Sequence, residues 1–275
     1  MGRSIKLILY YFAYQLLFIF LATGIDAAIA FTNGREITTD FRPGTMTLSI
    51  GMLLSALAMT WHLVHFHYVK FNKESIYEVS KKVILLCIPL LLSAQFIAGV
   101  LNEALDLTDT NQELFISMSH NIFGVLSIAI IIPILEELLF RGAIEGHLLR
   151  KGWSPKWAIL VSALIFGLIH GNPAQIPFAF LIGLLFGWLY YRTGSVIPGI
   201  AGHIINNSFG VWTMFTATQE ELNQTTMETL GATTTYILLV LAIAVFIGMY
   251  FYLNKYLPKP AEIQIETTNE KDSTI

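Results

Sequence analysis

Charge is the scarcest commodity in this chain. Asp, Glu, Lys and Arg make up 13% of its 275 residues, where soluble domains carry about 25%. Hydrophobic residues reach 55% and the mean hydropathy is +0.63. That balance excludes an ordinary soluble core and points to lipid. The formal net charge is −3, so no global basic surface argues for nucleic acid. There is one cysteine, Cys87, which excludes an internal disulfide and reads as a small buried hydrophobe in an apolar run. HExxH is absent, and with it the usual zinc-protease helix. No GxSxG elbow or Walker-type phosphate loop occurs either.

What the chain has in quantity is long apolar runs, and a membrane span needs about 20 such residues. Candidates are 6–31, 46–68, 83–104, 117–140, 196–215 and 234–254. Residues 155–192 are apolar too, but Gly171, Asn172 and Pro173 divide them into two shorter helices around a tight turn. The expectation is an all-α, polytopic bundle of about eight membrane segments. It forms one membrane domain over 1–257, followed by a polar, disordered tail at 258–275. The first run exceeds the roughly 7–15 residues of a signal-peptide core, so an uncleaved first span is expected. Placing the N-terminus in the cytoplasm puts fourteen of the sixteen Lys and Arg on that side, with only Arg35 and Arg42 outside. Both termini are therefore expected to be cytoplasmic. Gly167 with Gly171, and Gly183 with Gly187, have the spacing that lets helices approach closely in lipid.

Against this apolar ground a few polar residues stand out. Glu136 and Glu137 sit side by side in "IIPILEELLFRG", and Arg141 follows four residues after Glu137. An ionisable side chain near the bilayer centre costs roughly 2.5–3.5 kcal/mol on insertion scales. Glu137 and Arg141 have the favourable order for an i,i+4 ion pair. Glu136 then points about 100° away around the helix and is left to serve as an acid or a base. Two further intrusions lie on other helices. Phe166-x-x-x-His170 closes the first half of the split hairpin, and His203 and Asn207 share a face of the seventh segment. A single intramembrane His or Asn is often interhelical glue. A carboxylate, two imidazoles and an amide together suit water activation, with Glu136 and His170 at the water and His203 and Asn207 toward an oxyanion. The same set could instead hold a divalent metal: Glu136, His170 and His203 are ligand types that suit zinc. Spacing does not choose between the two. His62, His65 and His67 form another histidine group, placed at an interface where amphipathic side chains are common. Asp26 reads as an interfacial residue.

Glu136-Glu137-x-x-x-Arg141, Phe166-x-x-x-His170 and His203-x-x-x-Asn207, in that order on membrane helices, resemble the three-motif signature of the CPBP family. That family groups type II CAAX prenyl endopeptidases with Abi-type proteins of bacteriocin processing and immunity. The resemblance covers about 117–215. It implies an intramembrane protease fold whose site lies between helices and opens toward the cytoplasm. It implies catalytic roles for Glu136, His170, His203 and Asn207, with Glu137, Arg141 and Phe166 in support. Whether such enzymes are metallo- or glutamate-type is left open by the resemblance. The expected partners are the lipid bilayer and a membrane-associated peptide or protein tail, in a bacterial plasma membrane. Two rivals share the features: a non-catalytic regulator or bacteriocin-immunity protein on the same fold, and a solute transporter with broken helices.

One geometric tension arises at this level. A straight helix from Trp153 lifts His170 ~25 Å above the cytoplasmic interface, whereas His203 counted from Ser195 rises only ~12 Å. Tilt, a deeper start to the fifth segment, or extension of the fourth helix through Arg150 would each bring the groups level.

Overall fold

The computed structural model describes residues 2–38, 41–69 and 81–257. The expected tail at 258–275, and Lys70 and Lys73 of the basic loop, lie outside the described residues. Among the described residues the structure is all helical. In chain order the helices are α1 (Gly2–Thr32), α2 (Thr45–His65), α3 (Lys81–Glu103), α4 (Gln112–Ser119), α5 (Ile122–Arg150), α6 (Pro155–Leu168), α7 (Ile176–Thr193), α8 (Ile197–Thr216), α9 (Gln219–Leu222), α10 (Thr226–Leu230) and α11 (Ala232–Tyr256).

Six of these are long and apolar enough to cross a membrane: α1, α2, α3, α5, α7 and α11. The chain is a multi-pass membrane protein. The other two expected segments correspond to α6, an apolar helix of 14 residues, and α8, of 20 residues. Glycine, histidine and asparagine dilute the hydropathy of α8. α11 has only 6% of its apolar window buried, and it packs along α3. α1 packs on α2, and α6 on α7.

The α6–α7 hairpin owes its closeness to the glycines. A Cβ at Gly167 would come within 3.0 Å of the Ile176 carbonyl, and one at Gly183 within 3.0 Å of the Phe166 ring. Gly171 plays a different part from its spacing partner: it takes φ +61 in the turn and meets no neighbour.

α5 departs most from expectation. Instead of one span over 117–140, the chain breaks at His120–Asn121, where the Asn121 side chain accepts from the Gly124 N–H at 2.8 Å. It then runs unbroken to Arg150. The apolar run ends at residue 140, before the charged Arg141. Arg141 is in fact 1% exposed and paired, so the helix can carry on. Two stretches of α5 are wound as π-helix, Ser127–Ile131 and Leu138–Glu145, on either side of an α-helical turn at Ile132–Glu137. Wide windings of this kind concentrate at functional sites. The turn between them carries both glutamates.

Candidate active site

Glu137 is fully buried and its Oε1 lies 3.0 Å from Arg141 Nη1, the i,i+4 pair that the spacing predicts. Arg141 is held on three further sides. Its Nη2 donates to the Gly183 carbonyl of α7 at 3.2 Å, and its guanidinium sits 4.4 Å from the Phe166 ring centre and 5.4 Å from that of Phe186. A planar cation between two ring faces, hydrogen-bonded at its edge, is strongly oriented. Gly199 of α8 gives Glu137 its space, since a Cβ there would lie 2.6 Å from Glu137 Oε2.

His203 links the two glutamates. Its Nδ1 lies 3.2 Å from Glu137 Oε1 and its Nε2 lies 3.6 Å from Glu136 Oε2. The first is a hydrogen bond; the second is too long to be one. The adjacent glutamates diverge around the helix, as expected, yet they meet opposite nitrogens of one imidazole.

His170 follows the last turn of α6, and its Nδ1 lies 2.8 Å from the Phe166 carbonyl. A carbonyl oxygen can only accept, so Nδ1 carries the hydrogen and the neutral ring keeps an open lone pair at Nε2. The Phe166 ring stands edge-on to both His170 and His203, with centroid distances of 5.0 and 5.8 Å. The motif phenylalanine thus holds the histidine by its backbone and the arginine by its ring.

Asn207 donates through Nδ2 to the Ile128 carbonyl at 2.9 Å, and accepts from Asn206 Nδ2 at 3.1 Å. The first bond has a local cause. In the π-wound stretch the Ile132 N–H reaches back to the Ser127 carbonyl. The next residue, Pro133, has no N–H to offer Ile128, and Asn207 satisfies that carbonyl instead. One of its two amide hydrogens is thereby committed.

Glu136, His170, His203 and Asn207 all line one cavity of about 580 Å³. Glu136 and His203 are buried, and His170 and Asn207 half-buried. Extension of α5 to Arg150 accounts for their meeting, because it places Glu136 near mid-helix. Sequence reasoning missed Tyr11 and Gln15, which bring α1 into the cavity wall. It also missed Glu145, fully buried on α5 beyond Arg141, where a Cβ at Gly187 would lie 2.7 Å from its Oε2. Its i,i+4 spacing from Arg141 was the available signal.

The fit for a metal is poorer. Among the described residues no three His, Cys, Asp or Glu side chains converge as an ion would require. The interfacial histidines are occupied with rings: His62 faces the Tyr14 hydroxyl at 3.2 Å and stacks on Tyr68, and His65 stacks on Trp61. Asp26 accepts from the Gly44 N–H and the Thr47 hydroxyl, bracing the α1–α2 connection.

Comparison with known proteins places this geometry. The family model described as type II CAAX prenyl endopeptidase Rce1-like matches residues 118–209, the stretch that supplies every motif residue of the site. Over these residues the chain is similar to the CPBP family. Curated relatives of this chain include YdiL of Bacillus subtilis (strain 168), whose name describes a membrane peptidase. It is 36% identical over 83 residues, 30% of this chain and 34% of the relative. UPF0177 protein YxdF of Lactococcus lactis subsp. lactis (strain IL1403) is 31% identical over 122 residues, 44% and 63% of the two chains. Membrane-embedded CAAX protease MroQ of Staphylococcus aureus (strain USA300) is 34% identical over 108 residues, 38% and 43%. The chain thus matches less than two thirds of each relative's length. No solved structure gives a significant match.

Proposed function

We propose that this protein is an intramembrane endopeptidase of a bacterial plasma membrane, hydrolysing peptide bonds of membrane-associated peptides or protein tails. The observation that carries the reading is a buried carboxylate, Glu136, opening onto a cavity whose walls also hold His170, His203 and Asn207. A water between Glu136 and the bare Nε2 of His170 gives its proton to Glu136, and the resulting hydroxide adds to the peptide carbonyl. The oxyanion that forms takes hydrogen bonds from His203 and Asn207. The Nε2 of His203 makes no hydrogen bond to Glu136 at 3.6 Å, and Asn207 keeps one free amide hydrogen. Collapse breaks the C–N bond, and Glu136 returns its proton to the leaving amine. Arg141 and a protonated His203 balance the charges of Glu136 and Glu137, which limits the cost of holding them in lipid. Because no three ligand side chains converge among the described residues, no step is routed through an ion. The match to CAAX endopeptidases does not carry a prenylated substrate with it, since family fold does not set specificity.

The test is cleavage of an internally quenched peptide library by detergent-purified protein, comparing wild type with Glu136→Gln at matched folding. Cleavage by wild type alone is expected, and it should survive a strong chelator. Equal cleavage by both proteins refutes Glu136 as the base. Loss on chelation with recovery on adding zinc refutes the ion-free mechanism. If Glu136→Gln lowers stability while neither protein cleaves a native substrate, the non-catalytic regulator or immunity protein is the correct reading.

A further inference from the structure

We infer that the cavity is entered from the extracytoplasmic end of the bundle, and not from the cytoplasm as the family resemblance implies, by an uncharged and largely apolar peptide segment. The inference deepens the endopeptidase reading and rests on it for the identity of the occupant. Its first support is where the walls lie. Leu48 in the first turn of α2, Asn111 before α4, Gln175 before α7 and Met214 near the end of α8 all line the cavity. All four belong to one end of the bundle, the end joined by the connections at 33–44, 104–111, 169–175 and 217–231. Described basic residues gather at the other end, among them Arg3, Lys6, Lys81, Lys151, Lys156 and Lys255. The positive-inside rule makes that other end cytoplasmic.

The second support is what lies beneath Glu136. Leu7, Met59, Leu63, Leu139, Phe140 and Ile144 are each at most 1% exposed and belong to one core cluster. They fill the bundle on the cytoplasmic side of the glutamates, together with the Glu137–Arg141 pair and its two phenylalanines. From Glu136 to Arg150 is about 21 Å of helix at 1.5 Å per residue, and this packed layer occupies it. A route from the cytoplasm would have to breach that layer. The route from the other end is already lined.

The occupant's chemistry follows from the walls. Among the described residues, no ionisable side chain but Tyr11, Glu136 and the two site histidines lines the cavity; the remaining polar groups are a hydroxyl, that of Ser55, and amides such as Gln15, Gln175 and Asn206. Neutral amides can pair with the backbone of an extended peptide, whereas a charged side chain brought inside would lack a partner. The volume is within the range of ligand clefts.

Single-cysteine labelling tests both parts. In a Cys87→Ser background, Gln175→Cys, Met214→Cys and Lys255→Cys are treated with a membrane-impermeant maleimide in intact cells and after permeabilisation. Gln175→Cys and Met214→Cys should label in intact cells, and Lys255→Cys only after permeabilisation. Labelling of the cavity positions only after permeabilisation, or of Lys255→Cys in intact cells, overturns the sidedness. Failure of the cavity positions to label under either condition overturns the open route. An apolar, uncharged peptide should slow labelling of Met214→Cys, and the same peptide with a central lysine should not; equal protection overturns the substrate class. Adding Glu136→Gln should leave the labelling pattern unchanged. If that variant still cleaves, Glu136 falls as the base while the access route stands; if the wild type cleaves no peptide, the protease reading falls and the access route still stands.

Discussion

The bond from Asn207 to the Ile128 carbonyl yields a sharp energetic prediction. Asn207→Ala removes the donor and leaves a buried carbonyl that Pro133 cannot serve. An orphaned backbone acceptor costs about 1–3 kcal/mol, and interhelical hydrogen bonds in membrane proteins average ~0.6 kcal/mol with a maximum near 1.7. A loss of about 1–2 kcal/mol in resistance to denaturation is therefore expected. Pro133→Ala restores an N–H within reach of the Ile128 carbonyl. The double variant should recover most of the stability lost by Asn207→Ala, a coupling of about 1 kcal/mol, which contacting residues commonly show. Activity should stay low, because the free amide hydrogen aimed at the oxyanion is gone in both. The assay is a four-corner cycle of equilibrium denaturation in mixed micelles, with turnover measured on each protein. Additive stability losses would show that Asn207 does not compensate for the proline. Recovery of turnover alongside stability would show that it has no part at the oxyanion.

Three other outcomes are expected. Arg141→Met strands Glu137 in the core and should cost about 3–5 kcal/mol, the range for breaking a buried pair; adding Glu137→Gln should restore most of it, as read by thermal unfolding in detergent. Gly199→Ala puts a methyl where Glu137 Oε2 lies, at 2.6 Å, so turnover should fall with little change in global unfolding; unchanged turnover would mean that α8 shifts freely. In the connection between α8 and α11, hydrogen bonds from Thr218 and Thr225 hold the Glu221 and Glu228 carboxyls below the usual range. A depressed carboxyl stabilises above its unfolded value and loses that contribution as pH falls through the folded one. Amide exchange at 218–230, corrected for intrinsic rates, should accelerate on acidification below the usual carboxylate range, and Glu221→Gln should blunt the change.

Much of the site was legible because its pattern is local. The Glu137–Arg141 pair follows from i,i+4 geometry, and the split hairpin follows from Gly171-Asn172-Pro173. Thr218-x-x-Glu221 and Thr225-x-x-Glu228, the capping boxes of α9 and α10, are local in the same way. Other features had no local cause to read. Burial of Arg141 depends on Phe166, Phe186 and Gly183, so the end of α5 could not be placed from α5 alone. The contribution of Tyr11 and Gln15 needs the docking of α1 across the site. The double role of His203 needs two helices in register.

The π-wound stretches on either side of Glu136 and Glu137 also bear on how this helix can change length. A π-turn holds more residues than an α-turn, so deleting one residue within Ser127–Ile131 leaves enough chain to close an ordinary turn. Such a deletion would trade a wide turn for an ordinary one, leaving the glutamate turn intact and its bearing against the start of α5 nearly unchanged. The bearing of the glutamates is therefore buffered against single-residue loss, a slack link built into the helix that holds them.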